Sequence, residues 1–244
     1  MDYGSILSDS FQYAKGCVWG NARRWFLLLV SMIIFPFILG YCVRIYRGEQ
    51  PAPELEQWGN LFVDGIKLFV IEVIYAAPVI LLILISFLPF FSTIISTGVL
   101  SQEFTAMTDT QADQFLSSHP EILSALGTMV ILIIIAIVLA IIIGIFSFIG
   151  TVRFARTGSV AEAFNFTAIL ATIRRIGWIK YLLALIVIGV IGLVYGFVMD
   201  IVMMIPVIGF VLWFILYPPL IIFVSRYAAR VYDAGEVQTA AQLE

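Results

Sequence analysis

One uninterrupted apolar run restricts what this chain can fold into more than any other feature. The fourteen residues Val130–Ile143 (VILIIIAIVLAIII) contain no polar side chain. With their flanks they exceed the roughly 20 residues that cross about 30 Å of hydrocarbon. Of the 244 residues, 62% are hydrophobic and only 12% are charged, which leaves too little polar surface for a soluble fold. The sequence therefore predicts an all-α, polytopic integral membrane protein.

Hydrophobic segments recur along the chain and predict a helical bundle. Amphipathic helices are predicted over 2–22, from Trp58 into the second segment, and from Ser159, where Ser159 and Glu162 have the spacing of a capping box. We expect these amphipathic helices to lie at the membrane interface. The chain has about five hydrophobic segments: Trp25–Tyr46, Leu68–Leu88, Ile122–Ile149, Trp178–Val198 and Pro206–Val224.

Prolines and polar stretches divide these segments. Pro89 predicts that the second segment kinks or ends there, and Pro218-Pro219 predicts a kink in the fifth. A polar, acidic loop is predicted at 101–121. We expect a single membrane domain over 1–232 and a polar, frayed tail over 233–244.

Two short motifs resemble each other and indicate a tandem repeat. The first hydrophobic segment ends in VRIYRG (Val43–Gly48), and the third ends in VRFARTG (Val152–Gly158). An amphipathic helix and another hydrophobic segment follow each motif. Two repeat units, about 25–100 and 122–230, are one interpretation. The other is two helices that simply end in interfacial arginines.

The positions of the charges predict how the chain is oriented in the cell membrane. The 101–121 loop has no lysine or arginine and carries four acidic residues. By the positive-inside rule, the basic connections and the C-terminus are cytoplasmic and the 101–121 loop is outside. The basic residues are Lys15, Arg23, Arg24, Arg44, Arg47, Lys67, Arg153, Arg156, Arg174, Arg175, Lys180, Arg226 and Arg230.

The N-terminus conflicts with this pattern. If Trp25–Tyr46 crosses the membrane once, Lys15, Arg23 and Arg24 lie outside. The alternative is a re-entrant hairpin broken near Pro36, with two half-helices of about ten residues each. We favour the single span, because the hydropathy is continuous and proline is tolerated in membrane helices, although the charge bias favours the hairpin.

Glu72 is an ionisable residue inside the second hydrophobic segment. An unpaired carboxylate costs roughly 3 kcal/mol at the centre of a membrane helix, so Glu72 indicates either a functional site or a partner. A proton or cation site is the functional interpretation. The other is a carboxylate near the interface that pairs with Lys67 or an arginine, and we favour this one.

Four arginines of the repeated motifs, Arg44, Arg47, Arg153 and Arg156, are the candidates for binding lipid headgroups. They suit anionic headgroups or phosphate-bearing ligands. Arginines at this depth also serve as topology determinants, and we favour that interpretation. Gly192 and Gly196 form a small-xxx-small pair within one segment, which leaves a homo-oligomer or a partner membrane protein open.

No sequence pattern indicates catalysis. His119 is the only histidine, and no zinc, nucleotide or serine-hydrolase motif occurs. Cys17 and Cys42 are interpreted as small apolar residues, since two cysteines make neither a disulfide framework nor a thiolate metal site. We therefore expect no catalytic residues, no metal, no cofactor and no nucleic acid, with membrane lipids as partners.

Three segments resemble a known family: Ile38–Pro78, Arg153–Phe166 and Arg174–Leu185. Their pattern GYxVRxxRG…P…WGxLFVDGxKxFV is similar to that of an uncharacterised, largely archaeal integral membrane family, domain of unknown function 4013. More distantly, the layout resembles the membrane domain of bacterial glycerophosphodiester phosphodiesterases, whose catalytic domain has no counterpart here. The resemblance implies a membrane architecture and no activity.

Two functions are weighed against each other. The favoured hypothesis is a non-enzymatic membrane module that organises lipids or partner proteins, because amphipathic helices are prominent and the polar loops are short. The alternative is a channel or secondary transporter that uses Glu72 and proline-broken helices. A transporter is expected to present Glu72 to a polar cavity, whereas a module is expected to pair it at the surface of a solid bundle.

Overall fold

The computed structural model describes residues 1–97 and 109–240 and confirms the all-α prediction. Within these residues the chain forms nine α-helices, one short 3-10 helix (Val160–Phe164) and no strand. The α-helices are α1 (Tyr3–Val18), α2 (Ala22–Ile33), α3 (Phe35–Tyr46), α4 (Trp58–Ser96), α5 (Asp109–Ser118), α6 (Pro120–Thr157), α7 (Phe166–Ile176), α8 (Trp178–Met203) and α9 (Ile208–Ala240).

Four of the helices, α4, α6, α8 and α9, are long and apolar enough to cross a membrane. The protein is therefore a multi-pass membrane protein. Helix α4 continues through Pro78 and Pro89 to Ser96, and α9 continues through Pro218-Pro219. A helix end at Pro89 is thus a wrong prediction, because α4 and α9 are not interrupted at their prolines; the predicted kinks stay predictions. In hydrocarbon, a continuous helix keeps its backbone groups paired, and single prolines are tolerated.

Two segments predicted as irregular are largely helical. Of the predicted 101–121 loop, residues 101–108 lie outside the described residues, but Asp109–Ser118 forms α5 and α6 begins at Pro120. The tail predicted to fray from Asp233 continues α9 to Ala240 instead. The side chain of Asp233 accepts a hydrogen bond from Arg156 at 2.6 Å, which holds this polar segment against the protein.

The first hydrophobic segment is two helices and not the single span that the sequence favoured. Helices α2 and α3 have 12 residues each and meet at Ile34, two residues before Pro36. Each is about 18 Å long at 1.5 Å per residue, which is too short for about 30 Å of hydrocarbon. The two helices pack against each other. The segment is therefore broken near Pro36, as the hairpin alternative predicted, and its re-entry into the membrane stays a prediction.

The described helices form two compact units. The first comprises Met1–Glu72 and Ile145–Glu244, and the second comprises Val73–Gly144. The second unit has no lysine or arginine, and most of its large aliphatic and aromatic side chains are exposed, as suits a lipid-facing surface. Within the second unit His119 stacks on Phe115, with ring centroids 4.2 Å apart.

Helix α9 organises the first compact unit. Helices α1, α2, α3, α7 and α8 all pack against it. The amphipathic helices α1 and α7 bury apolar side chains there, so that Ile6 and Ile169 share one hydrophobic core with Tyr227 and Val231. The apolar faces of α1 and α7, which were predicted to contact the membrane interface, are thus partly covered by protein, whereas Phe11 and Phe166 on these faces stay exposed.

Glycines bring α3 and α4 into backbone contact. A Cβ atom at Gly40 would lie 1.9 Å from the carbonyl oxygen of Leu61, and one at Gly65 would lie 1.7 Å from that of Pro36. Only glycine permits such an approach. The hairpin is therefore locked closely against the start of the first crossing helix.

Candidate functional site

All thirteen lysines and arginines lie in the first compact unit. Among the described residues, six arginines pair with carboxylates there, and most of these pairs connect segments at least 30 residues apart. We call the region formed by these pairs the basic end. The pairs are Arg24–Glu54, Arg47–Asp64, Arg153–Glu162, Arg156–Asp233, Arg226–Asp9 and Arg230–Asp9.

The two repeated motifs contact each other through their second arginines. Arg47 Nε donates to the carbonyl of Ala155 at 3.3 Å, and Arg156 Nε donates to the carbonyl of Tyr46 at 2.7 Å. Carbonyls in the last turn of a helix lack an intrahelical partner, and the helix dipole favours a cation there. Each motif therefore caps the helix that ends in the other.

The same two arginines extend the contact to other helices. Arg47 Nη2 donates to Asp64 of α4 at 2.7 Å, and Arg156 Nη2 donates to Asp233 of α9 at 2.6 Å. The guanidinium of Arg156 also lies 5.8 Å from the centre of the Tyr232 ring. Arg47 and Arg156 thus join the ends of α3 and α6 to α4 and α9.

The first arginines of the motifs bind the segments that follow them. Arg44 donates to the carbonyls of Glu54 and Glu56 at 2.9 and 2.7 Å, which fixes the loop between α3 and α4. Arg153 pairs with Glu162 in the 3-10 helix. All four predicted arginines are thus engaged by protein groups, which favours a structural role; headgroup binding stays a prediction.

The predicted capping box at Ser159 does not form. The side chain of Ser159 makes no capping hydrogen bond, and a 3-10 helix follows it. Glu162 instead accepts hydrogen bonds from Arg153 and from the Asn165 amide, and Asn165 caps α7. The Asn165 amide and the Arg153 guanidinium lower the pKa of Glu162. The partner that sequence reasoning missed is Arg153, nine residues earlier.

Glu54 closes the α2–α3 hairpin. Its carboxylate pairs with Arg24, near the start of α2, and its carbonyl accepts from Arg44, in the last turn of α3. The pairing with Arg24 lowers the pKa of Glu54. The start of α2 and the end of α3 therefore lie close together. Arg24 and Arg44 are on the same side, as the charge bias had indicated.

Arg226 is a buried, paired residue whose contacts sequence reasoning missed. It is only 1% exposed. Its guanidinium donates to Asp9 of α1 at 2.8 and 3.4 Å and lies 4.7 Å from the centre of the Tyr13 ring. A buried arginine is costly unless it is paired, so Arg226 ties α1 to α9. Its position beside an apolar helical segment was the only local signal.

A polar cavity lies beside the hairpin. Its volume is about 520 Å³, and Arg44, Arg47 and Lys67 face it together with Asn60 and Asp64. Arg153 and Arg156 are not among its lining residues. Of the four predicted headgroup ligands, the structure therefore brings two together at one cavity, with Lys67 as a third cation.

Glu72 does not form the pair with Lys67 or an arginine that the sequence favoured. Among the described residues it forms no hydrogen bond or ion pair, and its side chain is exposed. Glu72 does not line the polar cavity beside the hairpin.

A larger apolar cavity lies between α1, α2, α8 and α9. Its volume is about 960 Å³, and its walls include Val18, Trp25, Tyr195 and Phe223. Lys15 is its one charged lining residue. The indole Nε1 of Trp25 and the hydroxyl of Tyr195 are buried without a hydrogen-bond partner in the described part of the chain. We refer to it below as the apolar cavity.

A family model matches most of this arrangement. It covers residues 25–204 and is described as protein of unknown function (DUF4013). The chain belongs to this family. In this DUF4013 protein the matched residues include the hairpin, both repeated motifs and the first three crossing helices. No curated protein and no solved structure matches the chain.

Proposed function

We propose that this DUF4013 protein is a non-enzymatic membrane module that organises anionic lipids or partner proteins around its basic end. One observation carries the proposal: six arginines are paired inside the basic end, while other cations of the same unit stay exposed. Lys15, Arg23 and Arg174 are among the exposed cations.

The paired and the exposed cations have different effects. The paired arginines join helix ends and make the basic end a packed body in which α9 contacts five other helices. The exposed cations present positive charge on that body, and each contributes about 1 kcal/mol to attraction by an anionic membrane surface. A packed body with a charged surface suits organisation of its surroundings.

The proposed orientation puts the basic end and both described chain ends at the cytoplasmic face of the cell membrane. Four crossings return the chain to its starting side, and the hairpin adds none. All basic residues then obey the positive-inside rule, including Lys15, Arg23 and Arg24. The 101–121 segment lies outside in this orientation.

Single-cysteine labelling of sealed, right-side-out vesicles tests the orientation. After Cys17 and Cys42 are replaced, Thr110→Cys is expected to react with a membrane-impermeant reagent. Ser5→Cys is expected to react only after permeabilisation. Labelling of both from outside contradicts the hairpin topology.

Lipid analysis tests the function. The protein is extracted with its surrounding lipids in polymer-bounded particles, and their composition is compared with that of the whole membrane. Anionic lipids are expected to be enriched around the wild type and less so around Arg174→Gln/Arg175→Gln. Arg174→Lys/Arg175→Lys keeps the charge and serves as the matched control. A lipid composition equal to that of the whole membrane refutes lipid organisation.

A channel or secondary transporter is the second candidate, and Glu72 favours it. Its exposed carboxylate has no ion-pair partner among the described residues, which the module hypothesis does not explain, although it does not line the polar cavity beside the hairpin. Proton and cation flux into liposomes measures this activity. Flux that Glu72→Gln abolishes, and that Glu56→Gln in the exposed loop leaves intact, establishes transport over the module.

A further inference from the structure

The apolar cavity is elongated along α9. Its wall on α9 extends from Ile215 to Phe223, about 12 Å at 1.5 Å per residue. Its volume of about 960 Å³ is at the upper end of the range of roughly 300–1,000 Å³ for ligand sites. An apolar wall of this length beside a crossing helix suits an alkyl chain.

Positive charge marks one end of this cavity. Lys15 forms part of the wall, and Arg23 directly follows the lining residue Ala22. Both side chains are exposed. Phe223 packs against the hydrophobic cluster that contains Ala14, the neighbour of Lys15, and is three residues from the paired Arg226. The apolar cavity therefore opens at the basic end, where an anionic headgroup meets complementary charge.

Trp25 adds an unused hydrogen-bond donor at that end. It belongs to the first turn of α2, close to the cationic side chains, and it lines the cavity. Its indole Nε1–H is buried with no acceptor in the described residues. A buried donor without a partner costs about 1–3 kcal/mol, so a ligand that supplies an acceptor gains affinity. Lipid phosphate and glycerol-backbone oxygens are such acceptors.

We infer that the apolar cavity holds one anionic membrane phospholipid. One chain lies along α9, the phosphate contacts Lys15, and an oxygen of the headgroup or backbone accepts from Trp25. This assignment rests on the proposed function and names a single site and ligand class within it. An apolar protein helix without an acidic side chain is a poorer occupant, because it offers no anion to Lys15.

Native mass spectrometry of the full chain, released from polymer-bounded particles into mild detergent, tests the assignment. The wild type is expected to retain one phospholipid per chain, and anionic headgroups are expected to be preferred over zwitterionic ones. Competition between phosphatidylglycerol and phosphatidylcholine at equal concentration measures that preference. Equal retention of both, or detergent in place of lipid, overturns the assignment.

Variants assign the retained lipid to the cavity. Ala22→Trp fills the cavity mouth and is expected to remove the lipid, whereas Ala171→Trp, at an exposed alanine of α7 outside the cavity, is expected to retain it. Thermal melting of both variants identifies a folding defect. Retention by a folded Ala22→Trp variant overturns the assignment.

Conservative changes test the polar contacts. Lys15→Gln and Trp25→Phe are each expected to lower phosphatidylglycerol retention about 3- to 10-fold, the equivalent of one hydrogen bond or ion contact. Tyr195→Phe removes a hydroxyl from the part of the cavity assigned to the alkyl chain, so retention is expected to be unchanged. Equal losses in all three variants contradict the assigned lipid orientation.

The two lipid experiments separate the inference from the proposed function. Enrichment of anionic lipids in the particles without a retained lipid in detergent refutes the cavity site and leaves the module intact. If neither enrichment of anionic lipids nor a retained lipid is observed, both the lipid-organising module and the cavity site are refuted.

Discussion

Helices α3 and α6 end in nearly the same residues, yet the protein around them differs. Val43–Gly48 and Val152–Gly158 both place an arginine on the partner helix end and both reach a glycine with positive φ, 86° and 74°. Three residues before each motif, α3 has Gly40 and α6 has Ile149. Gly40 admits the backbone of α4, whereas Ile149 is fully buried in a hydrophobic core.

This difference shows that the motif determines the arginine contact, whereas the helix that carries the motif determines the packing below it. The arginine contact is common to both ends, because any helix end offers unpaired carbonyls. The packing below it depends on whether the helix presents a glycine or a large side chain. A repeated motif therefore fixes the contact between the repeats without fixing how each repeat packs its next helix.

The largest effect on stability is expected at the close backbone contact between α3 and α4, which only the α3 end has. Gly65→Ala puts a Cβ atom 1.7 Å from the Pro36 carbonyl oxygen, so α3 and α4 must separate. We expect the free energy of unfolding in detergent to fall by about 3 kcal/mol or more. Gly59→Ala, in the same helix with no atom within 4 Å, is the control. Equal effects of both substitutions refute the close crossing.

The next largest effect concerns the reciprocal arginines. Arg156→Gln is expected to cost about 2–3 kcal/mol, because it removes a charge-assisted bond and leaves Asp233 without its partner. Arg47→Gln is expected to cost less, since its carbonyl bond is longer, 3.3 against 2.7 Å. Chemical unfolding of both single variants and the double variant measures the coupling. Strict additivity indicates that the two contacts are independent.

The glycines give a finer comparison of the two ends. Gly48→Ala and Gly158→Ala both force alanine into positive φ, at a cost of about 1–2 kcal/mol. A Cβ atom at Gly48 also lies 3.0 Å from the Arg156 guanidinium, whereas one at Gly158 meets nothing within 4 Å. Gly48→Ala is therefore expected to cost more. The excess is expected to vanish in an Arg156→Gln background, and its persistence excludes Arg156 as the cause.

The smallest effect distinguishes the first arginines of the two motifs, Arg44 and Arg153, by how the stability from their contacts depends on pH. The pKa of Glu162 is lowered below its ordinary value of 4.5, so its pairing with Arg153 stabilises the folded state above about pH 4.5. That contribution is lost as the pH falls through the lowered pKa. The carbonyl contacts of Arg44 do not titrate. Melting temperatures between pH 3 and 6 are expected to show a weaker acid dependence in Glu162→Gln than in Glu162→Asp, and identical profiles exclude this pair.

Hydropathy predicted the crossing helices well, because a crossing helix is defined by local composition. The hairpin was harder, since the hydropathy of Trp25–Tyr46 is continuous and only the charge bias indicated a return. The contact that closes the hairpin involves Glu54, 30 residues after Arg24. Such a pairing depends on the tertiary structure, and the residues next to Arg24 do not indicate it.

The candidate sites show the same limit. The arginines of the motifs were identifiable from their repetition, but their acceptors on the other repeat were not. Asp9 appeared as one polar residue of an amphipathic helix, although it pairs with Arg226 across 217 residues of sequence. The apolar cavity involves four helices, and no one of their sequences is unusual.

Because of the Asp9–Arg226 pair, the packing of the first helix, α1, also depends on the last helix, α9. Synthesis at about 5–20 residues per second separates the two side chains by roughly 10 to 40 s. During that interval α1 has no α9 to cover its apolar face, and the membrane surface or a chaperone must hold it. Insertion of α9 then allows α1 to pack against it. Arg226 forms its ion pair at once, because the carboxylate of Asp9 is already in position.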